Sequence, residues 1–231
     1  MKRFYKEVSV EKAGDVYLVK LDKSTVKTPS QNPLVIASKN MAEAIAKEWD
    51  THDEDLDMSI MPLTQMLNTQ IDKVSVNRSV IEEQILKYAE SDLVCYYAEE
   101  PADLVQRQKD IWGGLLSDWL KDKYDVTLRV TSGIHHVEQS VQDLEALRVI
   151  IKSLSLERLT ALHAVAPVGG SLVIGLAFID DHLSPEEAVQ AIYLDEIYQA
   201  ERWGEDEEGL NERLSVTKEL RVSRKFLDLL S

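Results

Sequence analysis

The sequence predicts an α+β fold, and two features predict it. Short β-prone runs cut by turn-forming clusters fill residues 8 to 36, and from residue 41 onward apolar residues recur at helical spacing almost to the end. The division that follows is a small antiparallel β-rich domain over 1–60 and a larger, mainly α-helical domain over 61–231.

Val8-Ser9-Val10, Val16 to Leu21 and Thr25-Val26-Lys27 are separated by Ala13-Gly14-Asp15 and Asp22-Lys23-Ser24, a spacing that predicts hairpins. Leu34-Val35-Ile36, after the Pro29–Pro33 turn, supplies a further strand. Ser38 is placed as a helix cap, because Met41, Ala42, Ile45, Ala46 and Trp49 behind it share one helical face. Further stripes follow: Leu63, Met66, Leu67 and Ile71, then Val80, Ile81, Ile85, Leu86 and Tyr88, then, from a start at Pro101, Leu104, Ile111, Trp112, Leu115, Leu116 and Trp119. Val126 to Val130 reads as a short strand ending at Gly133, and Leu144–Leu154 and Leu156–Val165 read as helices. Gly170 to Ile179 is apolar all round, so periodicity alone does not separate helix from buried strand; a buried helix is the preferred reading. Ser184-Pro185-Glu186-Glu187 is a capping box opening a helix that runs to Trp203-Gly204, and a charged helix occupies the last twenty or so residues.

The chain of 231 residues carries 41 acidic against 26 basic side chains, a formal charge of −15. Phosphate binding needs a concentrated positive field, so nucleic acid and anionic membrane are disfavoured as partners, and a basic or mixed protein surface is favoured. The longest apolar run, Gly169 to Ile179, is too short for the ~20 residues that span a bilayer. With a single cysteine, Cys95, there is no internal disulfide and no cysteine-based zinc cluster. The opening MKRFYKEVSVEK lacks the apolar core of a signal peptide, which points to a reducing, cytoplasmic setting.

A search for catalytic or ligand chemistry finds none. Asp53, Asp55 and Asp57 imitate the start of a calcium loop, but Met58 and Thr64 stand where glycine and a bidentate glutamate are needed. His135-His136 are adjacent and diverge, with Gln139 and Ser140 at the i+4 positions where a second ligand would sit, and His52, His163 and His182 are isolated. Gly169-Gly170-Ser171 lacks the lysine and spacing of a phosphate loop, and Asn77-Arg78-Ser79 has no glycosylation role in a cytoplasmic chain. Cys95, within Leu93-Val94-Cys95-Tyr96-Tyr97, is placed as a core thiol. No catalytic residue, cofactor site or metal site is assigned.

Two polar residues fall inside apolar stripes. Gln108 requires partners for both ends of its amide and is assigned a structural hydrogen bond. Glu196 lies near the middle of the face made by Val189, Ile192, Tyr193, Ile197, Ala200 and Trp203, so it is either ion-paired internally or turned into a cleft that meets a partner. Glu201 lies towards the other side, near Leu194 and Tyr198, and with Glu205, Asp206, Glu207 and Glu208 it begins a strongly negative surface, read as a solvated helix junction in preference to a docking site.

The ordered set of Lys2-Arg3-Phe4-Tyr5, Leu21-Asp22 with Val26-Lys27-Thr28-Pro29, Ile45-Ala46-Lys47-Glu48-Trp49-Asp50, Met61-Pro62-Leu63-Thr64 with Asn68-Thr69 and Asp72, Asp92-Leu93 with Cys95-Tyr96, Gln108 with Trp112, and Tyr198-Gln199 with Trp203-Gly204 covers nearly the whole chain. It resembles the ATP synthase assembly chaperone family that attends the alpha subunit of the catalytic head. No single motif carries the resemblance; their order does. It departs from the family at Lys23-Ser24, where Gly-Arg is frequent, and at His52, where Gln is frequent.

The resemblance implies a β-rich amino-terminal domain and a helical carboxy-terminal one. It also implies binding to the free alpha subunit, kept soluble until the beta subunit replaces the chaperone, with no hydrolysis and no cofactor. Eukaryotic relatives work in the mitochondrial matrix; the short amino terminus matches the bacterial, cytoplasmic form. Expected partner contacts are Glu196, Glu201, Trp203, Glu205 and Asp206, on a protein that is monomeric when free. Two rival readings are a permanent structural or adaptor subunit and a hydrolase using Glu196 with a distant histidine.

Overall fold

The computed structural model describes residues 2–52 and 55–230. The chain divides into two compact units, Met1–Arg78 with Val222–Ser231, and Ser79–Arg221.

In the first unit β2 (Val16–Leu21) is the central strand. It pairs antiparallel with β1 (Val8–Ala13) on one edge, and with β3 (Ser24–Thr25) and β4 (Val35–Ile36) in succession on the other. Both tight hairpins have a left-handed residue at their first turn position, Gly14 at φ 67° and Asp22 at φ 54°. Asp22 is held there because its Oδ1 accepts the backbone N–H groups of Lys6 and Glu7 at 3.0 and 2.9 Å, bonds that also lower its pKa. The Lys23 departure therefore sits in the second, less demanding turn position.

Helix α1 (Lys39–Asp50) starts where Ser38 accepts from the Met41 N–H, and it buries Met41, Ala42, Ile45 and Trp49. These pack with Val19, Leu21 and Leu34 into one core, to which Phe226 near the carboxy terminus also belongs. Helix α2 (Pro62–Thr69) has no side-chain cap of its own. Glu48 supplies it from α1, accepting the Leu63 and Thr64 N–H groups at 2.8 and 2.9 Å and the Thr64 hydroxyl at 2.8 Å. A π-helical turn (Gln70–Val74) follows, and its Asp72 gathers the 28–33 loop by accepting from Thr28, Ser30 and Asn32 at 2.7 to 2.9 Å.

The second unit contains α3 (Arg78–Glu90) and the rod α4 (Ala102–Gln108), a π-helical middle (Lys109–Leu120) and α5 (Lys121–Tyr124). Next come α6 (Val141–Ser153), α7 (Leu156–Gly169) and α8 (Leu172–Ile179), and then α9 (Pro185–Ile192), α10 (Leu194–Trp203) and α11 (Glu207–Asp228), whose residues from Val222 onward belong to the first unit. The apolar run expected as a buried helix is α8, with every residue buried, packed on α7, α9 and the π-helical rod. The α7 contact is close at Gly175, where a methyl group would lie 2.8 Å from Leu162 and 3.2 Å from Ala166. At the start of α8, the fully buried Asp92 accepts from the Ser171 hydroxyl at 2.5 Å and the Val173 N–H at 3.0 Å. Burial pushes its pKa up to about 6 against those bonds.

Two expectations are corrected. Val126 to Val130 is not a strand; the strand β6 is Thr131–Ser132, parallel to β5 (Tyr96–Tyr97). Val126 and Leu128 are buried as a strand would bury them. The backbone bonds go to side chains instead: Thr127 N–H to Asp143, and both Arg129 groups to the Gln139 amide at 2.7 and 2.9 Å, which stands in for a neighbouring strand. The capping box at Ser184 forms as expected, but the helix it opens ends at Ile192, and a break at Tyr193 (φ −100°, ψ 29°) starts α10 in a new rotational phase.

Candidate functional site

The break at Tyr193 decides which way each side chain of α10 points. Leu194 and Tyr198 are its buried residues, and Glu196 is exposed. Of the two alternatives for Glu196, an internal ion pair or a cleft, the ion pair is not made: among the described residues no side-chain hydrogen bond or ion pair involves Glu196, Gln199 or Trp203. Those three positions follow i, i+3, i+7 spacing and share one face.

The other face is bonded to the α4 rod. Gln108 accepts the Ala98 N–H at 2.8 Å and donates to Asp195 at 2.7 Å, so its expected structural role is met by one backbone and one carboxylate partner. Burial raises the Asp195 pKa, opposed by the Gln108 bond. Tyr198 donates to Asp103 at 2.8 Å, Arg202 pairs with the same carboxylate, and Trp112 donates to the Ala191 carbonyl at 2.8 Å. Arg107 grips both oxygens of Glu201 at 3.0 and 2.8 Å, and the Arg107 and Arg202 guanidinium groups both lie over the Tyr198 ring. Glu201 is thus where expected, near Leu194 and Tyr198, but already engaged.

The free face borders a groove of about 300 Å³ between α10 and the start of α11, lined by Tyr193, Glu196, Trp203, Asp206, Glu212 and Arg213 among others. Trp203 is 77% exposed, a large apolar surface left in water. Asp206 caps α11, accepting the Gly209 N–H at 2.7 Å, and Glu205 pairs with Arg213. Tyr193 donates to Glu212 at 3.0 Å, and burial with that bond pushes its pKa up to about 12. Three carboxylates, Glu196, Asp206 and Glu212, therefore line the groove with one arginine, Arg213, which is paired to Glu205. Of the five expected contact residues, Glu196 and Trp203 make no side-chain hydrogen bond or ion pair among the described residues, while Glu201, Glu205 and Asp206 have partners within the fold. On the opposite side of α10 a second groove of about 290 Å³ has an apolar floor of Ile111, Leu194 and Ile197, with Arg107 and Glu201 in its wall. The bonding partners Asp103, Arg107 and Asp195 were missed by sequence reasoning; the one signal of them was the polar Gln108 in an apolar stripe.

The remaining motifs take structural places. Cys95 is buried, and burial raises its thiol pKa. His136 lies 3.2 Å from the Tyr96 hydroxyl. Gly170 closes α7 at φ 57°. Asp57 caps a short 3-10 turn at Ser59, Asp55 bridges to Lys2, and Asp53 lies outside the described residues. Among the described residues no group of three or more His, Cys, Asp or Glu side chains could share a metal ion, and no helix is long and apolar enough to cross a membrane.

A family model described as the ATP12 chaperone protein matches residues 2–121. The mitochondrial protein atp12 of Schizosaccharomyces pombe is 25% identical over 217 residues, which is 88% of this chain and 74% of that protein. The crystal structure of Atp12 from Paracoccus denitrificans is 35% identical with a TM-score of 0.94, covering 100% of this chain and 98% of that one. The Atu1473 protein of Agrobacterium tumefaciens is 34% identical with a TM-score of 0.92, over 100% of this chain and 86% of that one. The chain belongs to the ATP12 chaperone family.

Proposed function

We propose that this protein is an ATP synthase assembly chaperone that binds the free alpha subunit of the catalytic head. It masks the alpha subunit's interface until the beta subunit takes its place. The observation that carries the docking site is the free face of α10: Trp203, 77% exposed, beside Glu196 in an acidic groove, on a helix whose other face is anchored.

An unassembled ring subunit exposes a broad apolar patch meant for its neighbour, and such patches aggregate. A chaperone must cover it tightly enough to compete with aggregation and weakly enough to be displaced. A rigid aromatic anchor supplies contact area at low entropic cost, and the carboxylates around it steer basic or mixed surfaces into place. Glu196 and Trp203 touch the client directly; Glu201, Glu205 and Asp206 shape that surface and add to its negative field. The work is done by binding equilibrium, without catalysis or cofactor, by a monomer in the bacterial cytoplasm.

Coexpression with the isolated alpha subunit tests this. The soluble yield of alpha subunit is expected to rise with the chaperone present, and added beta subunit is expected to release the chaperone. Unchanged yield with no complex contradicts the proposal, and stoichiometric retention in the finished ATP synthase would establish a permanent subunit instead.

A further inference from the structure

Helix α10 begins without a side-chain cap: Tyr193, in the cap position, makes no capping hydrogen bond. Gln108 is what grips that end. Its side chain is fully buried, its oxygen accepts the Ala98 N–H at 2.8 Å, and its nitrogen donates to Asp195 at 2.7 Å. An amide offers a different group at each end, so this pairing fits in one orientation only. Asp195 and Glu196 are neighbours on a helix and point about 100° apart. The bond that turns Asp195 towards the rod therefore turns Glu196, and with it Trp203, towards the groove.

We propose that Gln108 is a positioning residue for client recognition: through Asp195 it sets the rotation of α10 that presents Glu196 and Trp203. This rests on the docking role proposed above. Without this bond α10 is still held further along, through Tyr198–Asp103 and Glu201–Arg107, but a loosened start would occupy its binding setting only part of the time, and apparent affinity would fall by that fraction.

The test is the affinity of folded variants for purified alpha subunit, alongside wild type. Gln108→Glu sets two carboxylates against each other and is expected to weaken binding about tenfold, the scale of one buried hydrogen bond to a charged group. Adding Asp195→Asn to it exchanges donor and acceptor at unchanged net charge and is expected to restore binding. Asp195→Asn alone keeps an acceptor for Gln108 and is expected to bind as wild type does, whereas Asp195→Leu is expected to lose as much as Gln108→Glu. If Gln108→Glu does not fold, the contrast of Asn and Leu at the half-buried position 195 decides. Wild-type affinity in folded Gln108→Glu or in Asp195→Leu overturns the inference, as does a double variant no better than Gln108→Glu. Weak binding by Asp195→Asn also overturns it, because the charge of Asp195 would then itself contact the client. Failure of the wild type to bind alpha subunit is a different result: it removes the docking role, and this inference with it.

Discussion

Arg107 and Glu201 meet in a two-pronged ion pair, 3.0 and 2.8 Å, that ties α4 to α10. The acidic segment from Glu196 to Glu208 is therefore not one uniform solvated surface. It contains carboxylates spent on the fold and carboxylates available to a partner. The pair raises the Arg107 pKa and lowers that of Glu201, each chiefly through the hydrogen bonds between them.

The distinction is measurable by charge reversal. Glu201→Lys places a second cation against Arg107 and beside Arg202, and is expected to lower the thermal midpoint of unfolding. Glu196→Lys opposes no internal partner and is expected to leave the midpoint unchanged. The exchange Arg107→Glu with Glu201→Lys is expected to recover most of the loss. Equal midpoints for the two single variants in calorimetry would show that the ion pair does not anchor α10.

Asp92 gives stability an acid-side dependence. Its carboxyl, fully buried, titrates near 6 in the folded protein and near about 3.9 when unfolded, so the folded state binds the extra proton between those values. A raised pKa means that this contribution is present at low pH and declines as pH rises through about 6. Between pH 5 and 7 the stability of the wild type relative to Asp92→Asn is expected to fall by about 1 kcal/mol, one pKa unit being worth about 1.4 kcal/mol. Denaturant titrations of both proteins at the two pH values check this; a constant or rising difference contradicts it.

Glu48 caps a helix that cannot cap itself. Glu48→Ala leaves the Leu63 and Thr64 N–H groups of α2 without their acceptor, and is expected to destabilise the protein by about 2 kcal/mol. Equilibrium unfolding in urea measures it, and a loss below about 0.5 kcal/mol would show that water replaces the carboxylate without cost.

Gly175 marks the tightest approach of α7 to α8. Gly175→Val would drive carbon into Leu162 and the Ala166 methyl, and is expected to cost about 2 kcal/mol or more even though glycine is a poor helix former. The same urea midpoints report it; an unchanged or raised midpoint would mean that α8 can move away freely.

What could be read from the sequence was what local chemistry determines. Ser38 and Ser184 cap the helices they were expected to cap, the sheet strands lie where turn residues delimit them, and the all-apolar run is a buried helix. Where partners are distant in the chain, pattern was not enough. Gln108 was recognisable as a residue needing bonds, but its partner Asp195 lies 87 positions away and no spacing rule connects them. Val126 and Leu128 are buried in a strand's alternation, and only Gln139 and Asp143 reveal that side chains complete the segment's bonds. Glu196 shares a face with Tyr193, Ala200 and Trp203, as the spacing predicts, but the apolar series from Val189 to Trp203 forms two helices and not one. The break at Tyr193 shifts the phase, burying Leu194 and Tyr198 and exposing Glu196 and Trp203.

The central claim, that the free face of α10 receives the alpha subunit, is tested most directly by affinity at two ionic strengths. Purified alpha subunit is titrated with wild type, Glu196→Lys and Trp203→Ala at about 0.05 and 0.3 M salt, between which the screening length shortens about 2.5-fold. Wild-type binding is expected to weaken with salt, Glu196→Lys to bind more weakly and with a smaller salt dependence, and Trp203→Ala to lose affinity at both. Wild-type affinity in both variants at both salts would contradict the account.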